Sequence, residues 1–173
     1  DAVSSVLEIG TGSGCMSIAL ATQLPLSSIT ATDISLDALD VATKNVINYD
    51  LSDHINLLHS DIYENVTGSF DLIISNPPYV GDNEMSTLPQ EYLHEPVSAL
   101  RADNDGLALV KTIIEGAHSR LNEKGLLVVE VGNSQEALVS LYPDLPFIWC
   151  DFECGGHGVF VLKKADLVNL ERG

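Results

Sequence analysis

Short apolar runs alternate with stretches at helical spacing along most of this chain, and that alternation constrains the fold more than any other feature. Strand-length runs are read at Ser4–Ile9, Ser28–Thr32, His54–His59, Phe70–Ser75, Gly125–Val131, Phe147–Glu153 and Gly158–Lys163. Helices are read at Cys15–Gln23, Ser35–Tyr49, Gly106–Leu121 and Gln135–Tyr142, with Ser35 as an N-cap and Pro25 as a stop. Strands separated by helices pair in parallel through crossovers, which gives an α/β, doubly wound, mostly parallel sheet of seven strands. The last two strands are joined only by Cys154-Gly155-Gly156-His157, too short for a crossover, so they are expected to pair antiparallel. With 45% hydrophobic residues in 173, the chain has material for one sizeable core, and residues 1–173 are read as a single domain. Ligands of such a sheet bind at the carboxyl ends of its strands.

The candidate chemistry sits at those ends. Asn76-Pro77-Pro78-Tyr79 follows the Phe70–Ser75 run, and its two prolines cannot donate to a ladder, so the strand stops there and leaves carbonyls free. The Asn76 side-chain carbonyl and the Pro77 backbone carbonyl form a pair of acceptors suited to the two hydrogens of a planar NH2 group, with Tyr79 as a flat surface beside it. Holding those hydrogens restores electron density on an otherwise delocalised nitrogen and favours its attack on an electrophilic carbon. A plain strand-terminating turn is the alternative. A stretch of roughly thirty residues follows, up to Gly106, long enough to be a lid or substrate loop.

The first strand runs into Gly10-Thr11-Gly12-Ser13-Gly14, whose backbone N–H groups can approach a ligand closely. The spacing from Glu8 onward is not the G-x-G-x-x-G of dinucleotide binders, and a carboxylate under the loop suits a cationic amino-acid group better than a phosphate. Asp33 ends the second strand, placed to accept from two ribose hydroxyls, and Asp61 with Ile62 follows the third, placed to flank an adenine. Each aspartate alone would also serve as a turn or cap residue. Together the features describe S-adenosylmethionine, a nucleoside with a cationic methionine end and no phosphate. No metal site is read: Cys150, Cys154 and His157 are close in sequence but have no defensible convergence and no fourth ligand.

A formal charge of −17, from 25 acidic residues against 8 Lys and Arg, speaks against direct nucleic-acid binding and favours encounter with a basic protein. The absence of a long apolar run or leader and the three sparse cysteines lead to the expectation of a soluble, cytoplasmic protein without membrane association.

Glu8-Ile9-Gly10-Thr11-Gly12-Ser13-Gly14 with Asn76-Pro77-Pro78-Tyr79 resembles the class I, Rossmann-like, S-adenosylmethionine-dependent methyltransferases, and over essentially the whole chain the pattern is similar to the protein-(glutamine-N5) methyltransferases of the HemK/PrmC and PrmB type. Met85-Ser86, Leu88-Pro89, Glu91-Tyr92, His94-Glu95-Pro96, Asp105-Gly106-Leu107, Glu130-Val131-Gly132-Asn133-Ser134 and Gly155-Gly156 with Gly158-Val159-Phe160 resemble the branch that modifies ribosomal protein L-three of the large subunit. The resemblance implies that Gly10, Thr11, Gly12, Ser13, Gly14 and Asp33 hold S-adenosylmethionine, with Asp61 and Ile62 near the adenine. It also implies that Asn76 and Pro77 hold the substrate amide beside Pro78 and Tyr79. The glutamine nitrogen then displaces the sulfonium methyl, leaving S-adenosylhomocysteine, and Glu91, Glu95 and Glu130 are candidates to receive the proton. Glu8 departs from the family's commoner aspartate but keeps the charge. The family's N-terminal helical substrate-recognition domain has no counterpart in the chain, so a catalytic domain that binds cofactor but binds protein substrate poorly is expected. Rival readings are a release-factor glutamine methyltransferase, an adenine-N6 DNA methyltransferase, a non-catalytic cofactor-binding subunit and a nucleotide-cofactor dehydrogenase.

Overall fold

A computed structural model describes residues 3–77, 107–152 and 156–172. Its strands are β1 (Ser5–Ile9), β2 (Ser28–Asp33), β3 (Ile55–His59), β4 (Phe70–Ser75), β5 (Leu121–Glu130), β6 (Ile148–Cys150) and β7 (Val159–Lys163). The helices among the described residues are α1 (Cys15–Gln23), α2 (Leu36–Asn48), α3 (Ala108–Arg120) and α4 (Gln135–Leu141). The strands form one sheet in the order β3-β2-β1-β4-β5-β7-β6, parallel from β3 to β5, with β7 antiparallel to both β5 and β6. The doubly wound sheet and its antiparallel last strand are as the alternation of elements requires.

Strand periodicity sorts β1 between two cores. Leu7 and Ile9 face α3 with Ile73, Ile113, Ile114 and Leu127. Val6 faces the other way, with Ile29, Ala31, Ile18 of α1 and Val46 of α2. The period of two therefore sends Glu8 to the Val6 side, toward α1. On α2 the expected cap is present: the Ser35 hydroxyl accepts from the Ala38 N–H at 3.2 Å.

Three boundaries depart from the sequence reading, each for a packing reason. Leu121 is not the end of a helix: it is buried and pairs with Phe70, and β5 runs from there through an irregularity that shifts the register to Leu72 opposite Leu126. β6 is shorter than Phe147–Glu153, because its partner β7 begins only at Val159, opposite Cys150. Within β6, Trp149 and the preceding Phe147 share a face and pack on Phe160, with ring centroids 5.7 and 5.1 Å away. After β7 a 3-10 helix, Lys164–Arg172, has no counterpart in the elements read from the sequence. It is tied down by the Lys163 N–H donating to Asp166 Oδ2 at 2.8 Å and by Leu167, which is fully buried. Among the described residues no helix is long and apolar enough to cross a membrane.

The amino-terminal ends of β1 and β4 are clasped by one carboxylate. Asp71 Oδ2 accepts from the N–H and hydroxyl of Ser4 (2.9 and 2.7 Å) and of Ser5 (3.1 Å each), and Oδ1 accepts from Asn122 Nδ2 at 2.7 Å. These bonds, the one from Asn122 foremost and then those from Ser4, hold its carboxyl well below the usual carboxylate range. A depressed folded-state value means that the stabilisation is complete above the unfolded value of about 3.9 and is lost as pH falls through the folded one. Asp71→Ala is expected to cost about 1 kcal/mol at neutral pH, after allowance for solvent screening. Urea unfolding of parent and variant should show the gap unchanged between pH 8 and pH 5 and closing only in stronger acid.

Candidate active site

The register of three adjacent strands builds the site. Ile9 of β1 pairs with Thr32 of β2 on one side and with Ser75 of β4 on the other. One residue further along each chain stand Gly10, Asp33 and Asn76, at the carboxyl edge where the strand order reverses. Two hydroxyls secure this edge from within: Thr32 Oγ1 donates to the Glu8 carbonyl at 3.1 Å and Ser75 Oγ to the Ile9 carbonyl at 2.8 Å.

The loop from Gly10 to Gly14 turns tightly over the end of β1. Gly10, Gly12 and Gly14 all adopt positive φ, at 74°, 55° and 80°. Gly10 and Thr11 N–H groups both donate to the Thr32 carbonyl (2.9 and 2.8 Å), and Gly14 N–H returns to the Thr11 carbonyl at 2.9 Å. A Cβ on Gly14 would also press on the Ala42 methyl at 3.2 Å, so the loop lies directly against α2. Asn45, one turn further on α2, donates from Nδ2 to the Ser13 carbonyl at 2.9 Å.

Asp33 is held on the same loop: Oδ2 accepts from the Gly12 N–H and Oδ1 from the Ser35 N–H, both at 2.8 Å. Each oxygen retains a lone pair for a further donor. Glu8 lies beneath the loop and is only 1% exposed. Its Oε2 accepts from the Thr11 hydroxyl at 2.9 Å and from the Ser17 hydroxyl of α1. Burial pushes its carboxyl above the ordinary range; bonds from Ser17 and Thr11 oppose the shift and the negative charge of Asp33 adds to it. The site thus stores an under-compensated carboxylate below a ring of backbone N–H groups.

After β3, Asp61 is exposed and Ile62 carries φ 46°, a conformation that a β-branched residue adopts only under constraint. Ser60 supplies part of the constraint, donating from Oγ to the Ile62 carbonyl at 3.2 Å while accepting from the Asn65 N–H at 3.0 Å. The Ile62 side chain packs against the core on the α3 side. On β4, Asn76 is exposed at the strand end and Pro77 is buried. Pro78, Tyr79 and the stretch read as a lid, including Glu91 and Glu95, lie outside the described residues. Glu130 ends β5, half-buried, next to β4.

The structure therefore brings Glu8, Gly10, Thr11, Gly12, Ser13, Gly14, Asp33 and Asn76 to one edge, with Asp61 and Ile62 beyond β2. Sequence reasoning did not name Ser17, Thr32, Ser35, Asn45 or Ser75, which hold those groups in place. Their only signal is periodic: Ser17 and Asn45 stand on helix faces that meet β1 and the loop. Among the described residues no group of three or more His, Cys, Asp and Glu side chains converges as for a metal ion.

A family model described as "Methyltransferase small domain" matches residues 1–105. The chain is 48% identical over 172 residues to the ribosomal protein uL3 glutamine methyltransferase of Francisella tularensis, covering 99% of this chain and 55% of that protein. It is 44% identical over 169 residues to the protein of the same name from Neisseria gonorrhoeae, covering 98% and 56%. The chain thus spans about half the length of the curated relatives it matches. In fold it is similar to a methyltransferase from Pyrococcus furiosus, with a TM-score of 0.69 at 20% identity over 94% of this chain and 75% of that one. A likeness at TM-score 0.51 and 15% identity, over 73% of this chain and 35% of the other, extends to the O-methyltransferase of a trans-AT PKS multienzyme of Brevibacillus brevis, solved in complex with S-adenosyl-L-homocysteine.

Because the folded state raises the Glu8 value, ionised Glu8 opposes folding at neutral pH, and the penalty is relieved as pH falls and the carboxyl takes up its proton. Glu8→Gln keeps an acceptor for Thr11 and Ser17 while removing the charge. It is expected to stabilise the ligand-free protein by about 1 kcal/mol near pH 7, about 2–4 °C in Tm. In thermal unfolding followed across pH, the advantage should shrink toward acid; an advantage that grows toward acid would contradict the placement of the charge.

Proposed function

The chain belongs to the methyltransferase small domain family, and from that premise we propose that it transfers a methyl group from S-adenosylmethionine to the side-chain nitrogen of a glutamine in a protein. In this reading the substrate is ribosomal protein uL3, the L-three protein of the large subunit, and residues 1–173 are the catalytic domain of a cytoplasmic enzyme. The observation that carries the proposal is the level register of β2, β1 and β4, which gathers a nucleoside-binding set and an amide-holding pair on one edge. The substrate follows from the uL3 methyltransferases that are 44% and 48% identical to nearly all of this chain. The charge of −17 supports a basic protein as partner and disfavours a duplex, whose phosphates it would repel.

The residues fit the cofactor. Asp33, already on the loop, has lone pairs for ribose hydroxyls, and the buried Glu8 charge favours a cation above it. The Gly10-to-Gly14 backbone offers close approach without a phosphate-binding spacing, and Asp61 with the constrained Ile62 borders the next strand end. Bound S-adenosylmethionine supplies an electrophilic sulfonium methyl and leaves as S-adenosylhomocysteine. The chain's own contribution is positional. Asn76 Oδ1 and the Pro77 carbonyl accept the two amide hydrogens of glutamine, turn its nitrogen lone pair out of conjugation and aim it at the loop side of the sheet. The methylated nitrogen is then acidic enough to release a proton to water or to Glu130, so no strong base is required.

Incubation with S-adenosylmethionine and unmethylated uL3, release factor or duplex DNA, read by mass spectrometry, tests the proposal. One methyl on a uL3 glutamine is expected, falling by about 100-fold or more in Asn76→Ala as positioning is lost. Methyl on the release factor alone would move the substrate, methyl on DNA would overturn the substrate class, and an unaffected Asn76→Ala would overturn the role of the strand end.

A further inference from the structure

Beyond β4, on the side of the sheet away from the glycine loop, β5 and β7 end in a polar pair to which neither the cofactor nor the amide assigns a task. Past their last paired residues, Glu130 and Val159, the two chains come into backbone contact. Gly158 is buried at φ 70°, and a Cβ there would stand 2.7 Å from the Gly132 nitrogen and closer still to its carbonyl oxygen. Only glycine permits this crossing. The Val131 N–H donates to the Gly158 carbonyl at 2.8 Å and extends the ladder one step.

From this locked crossing emerge two exposed side chains, Asn133 and His157, with Asn133 Oδ1 2.9 Å from His157 Nε2. The amide oxygen only accepts, so Nε2–H donates, and the neutral ring keeps Nδ1 as an acceptor while Asn133 keeps both Nδ2 protons. Among the described residues neither side chain makes another hydrogen bond. A single bond between exposed side chains contributes little to folding, whereas a preset donor beside a preset acceptor matches a peptide unit, which presents one C=O and one N–H.

Position supports that match. β5 lies next to β4, and the pairing of Ser75 with Val129 puts Glu130 level with Asn76. At a strand spacing of about 4.8 Å, the Asn133–His157 pair lies on the order of 5–10 Å from the amide-holding carbonyls, the reach of two or three extended residues. The β1–β2–β3 side is taken by the cofactor set, so a polypeptide presenting its glutamine to Asn76 must cross the ends of β5 and β7. Resting on the methyl-transfer reading, we infer that Asn133 and His157 hold one main-chain peptide unit of the protein substrate close to the target glutamine. Asn133 Nδ2–H donates to its carbonyl and His157 Nδ1 accepts from its N–H. The pair positions the substrate and takes no part in bond making.

Methyl-transfer kinetics on uL3 with Asn133→Ala, His157→Ala and Asn133→Asp test this, alongside cofactor affinity and Tm. The Asp variant decides, since it retains the acceptor for His157 but has lost the donors. All three are expected to raise KM for the protein about tenfold while kcat, cofactor affinity and Tm stay near the parent values. Parental KM in Asn133→Asp would show the pair to be an internal clasp and overturn the inference, as would parental KM in both alanine variants. If the parent protein methylates no glutamine, the reading of the function falls and this inference with it; if it does and the variants match it, only this inference falls.

Discussion

Parallel pairing of β1 on both sides is the constraint on which the rest of the structure depends. Ile9 is bonded into register with Thr32 and with Ser75 at once. Slipping either neighbour by one residue would exchange its buried and exposed faces, and would cost the whole of one core. Because both neighbours carry their apolar residues into cores on opposite faces, the register cannot drift, and the three chain exits are delivered to one line. The Asp71 clasp at the far end of β1 and β4 reinforces the same alignment with hydrogen bonds to a charged acceptor.

Glu8 shows what that alignment costs locally. Strand periodicity sends it to the α1 face, where an aliphatic side chain would pack as Val6 does, yet a carboxylate is buried there with hydroxyl partners and a second carboxylate, Asp33, nearby. A buried, incompletely compensated charge opposes folding and favours any cation brought to it, so the position is better suited to a ligand than to the ligand-free protein. Its immediate supports, Thr11 and Ser17, lie on the loop and the helix that the ligand would order. Local stability and the proposed chemistry therefore act on the same side chain in opposite directions.

The second half of the sheet serves a different end. β7 enters antiparallel between β5 and β6, which turns the chain back across the carboxyl edge and places His157 beside Asn133. A parallel strand in that place would have delivered its amino end to the opposite edge. The close Gly132–Gly158 crossing keeps the two segments in fixed relation, and the buried Phe160 with Phe147 and Trp149 anchors β7 from the core side.

Much of the fold was legible because it rests on local periodicity: runs of Val, Ile and Leu between helical stretches specify a doubly wound sheet, and glycine or proline at the strand ends marks where ligands approach. The Leu121 start of β5 and the C-terminal 3-10 helix were not legible, since the first depends on pairing with Phe70 and the second on docking of Leu167 against α3 and β5. Asn45 and Ser17 escaped for the same reason: each acts through a partner distant in sequence, Ser13 and Glu8. By itself the sequence determined the class of fold, the order of its elements and the residue types at each strand end, because these follow from nearest-neighbour patterning. The tertiary structure alone decided which strand ends meet, that Glu8 is buried rather than open, and that Asn133 faces His157, because register and burial arise only when distant segments compete for the same core.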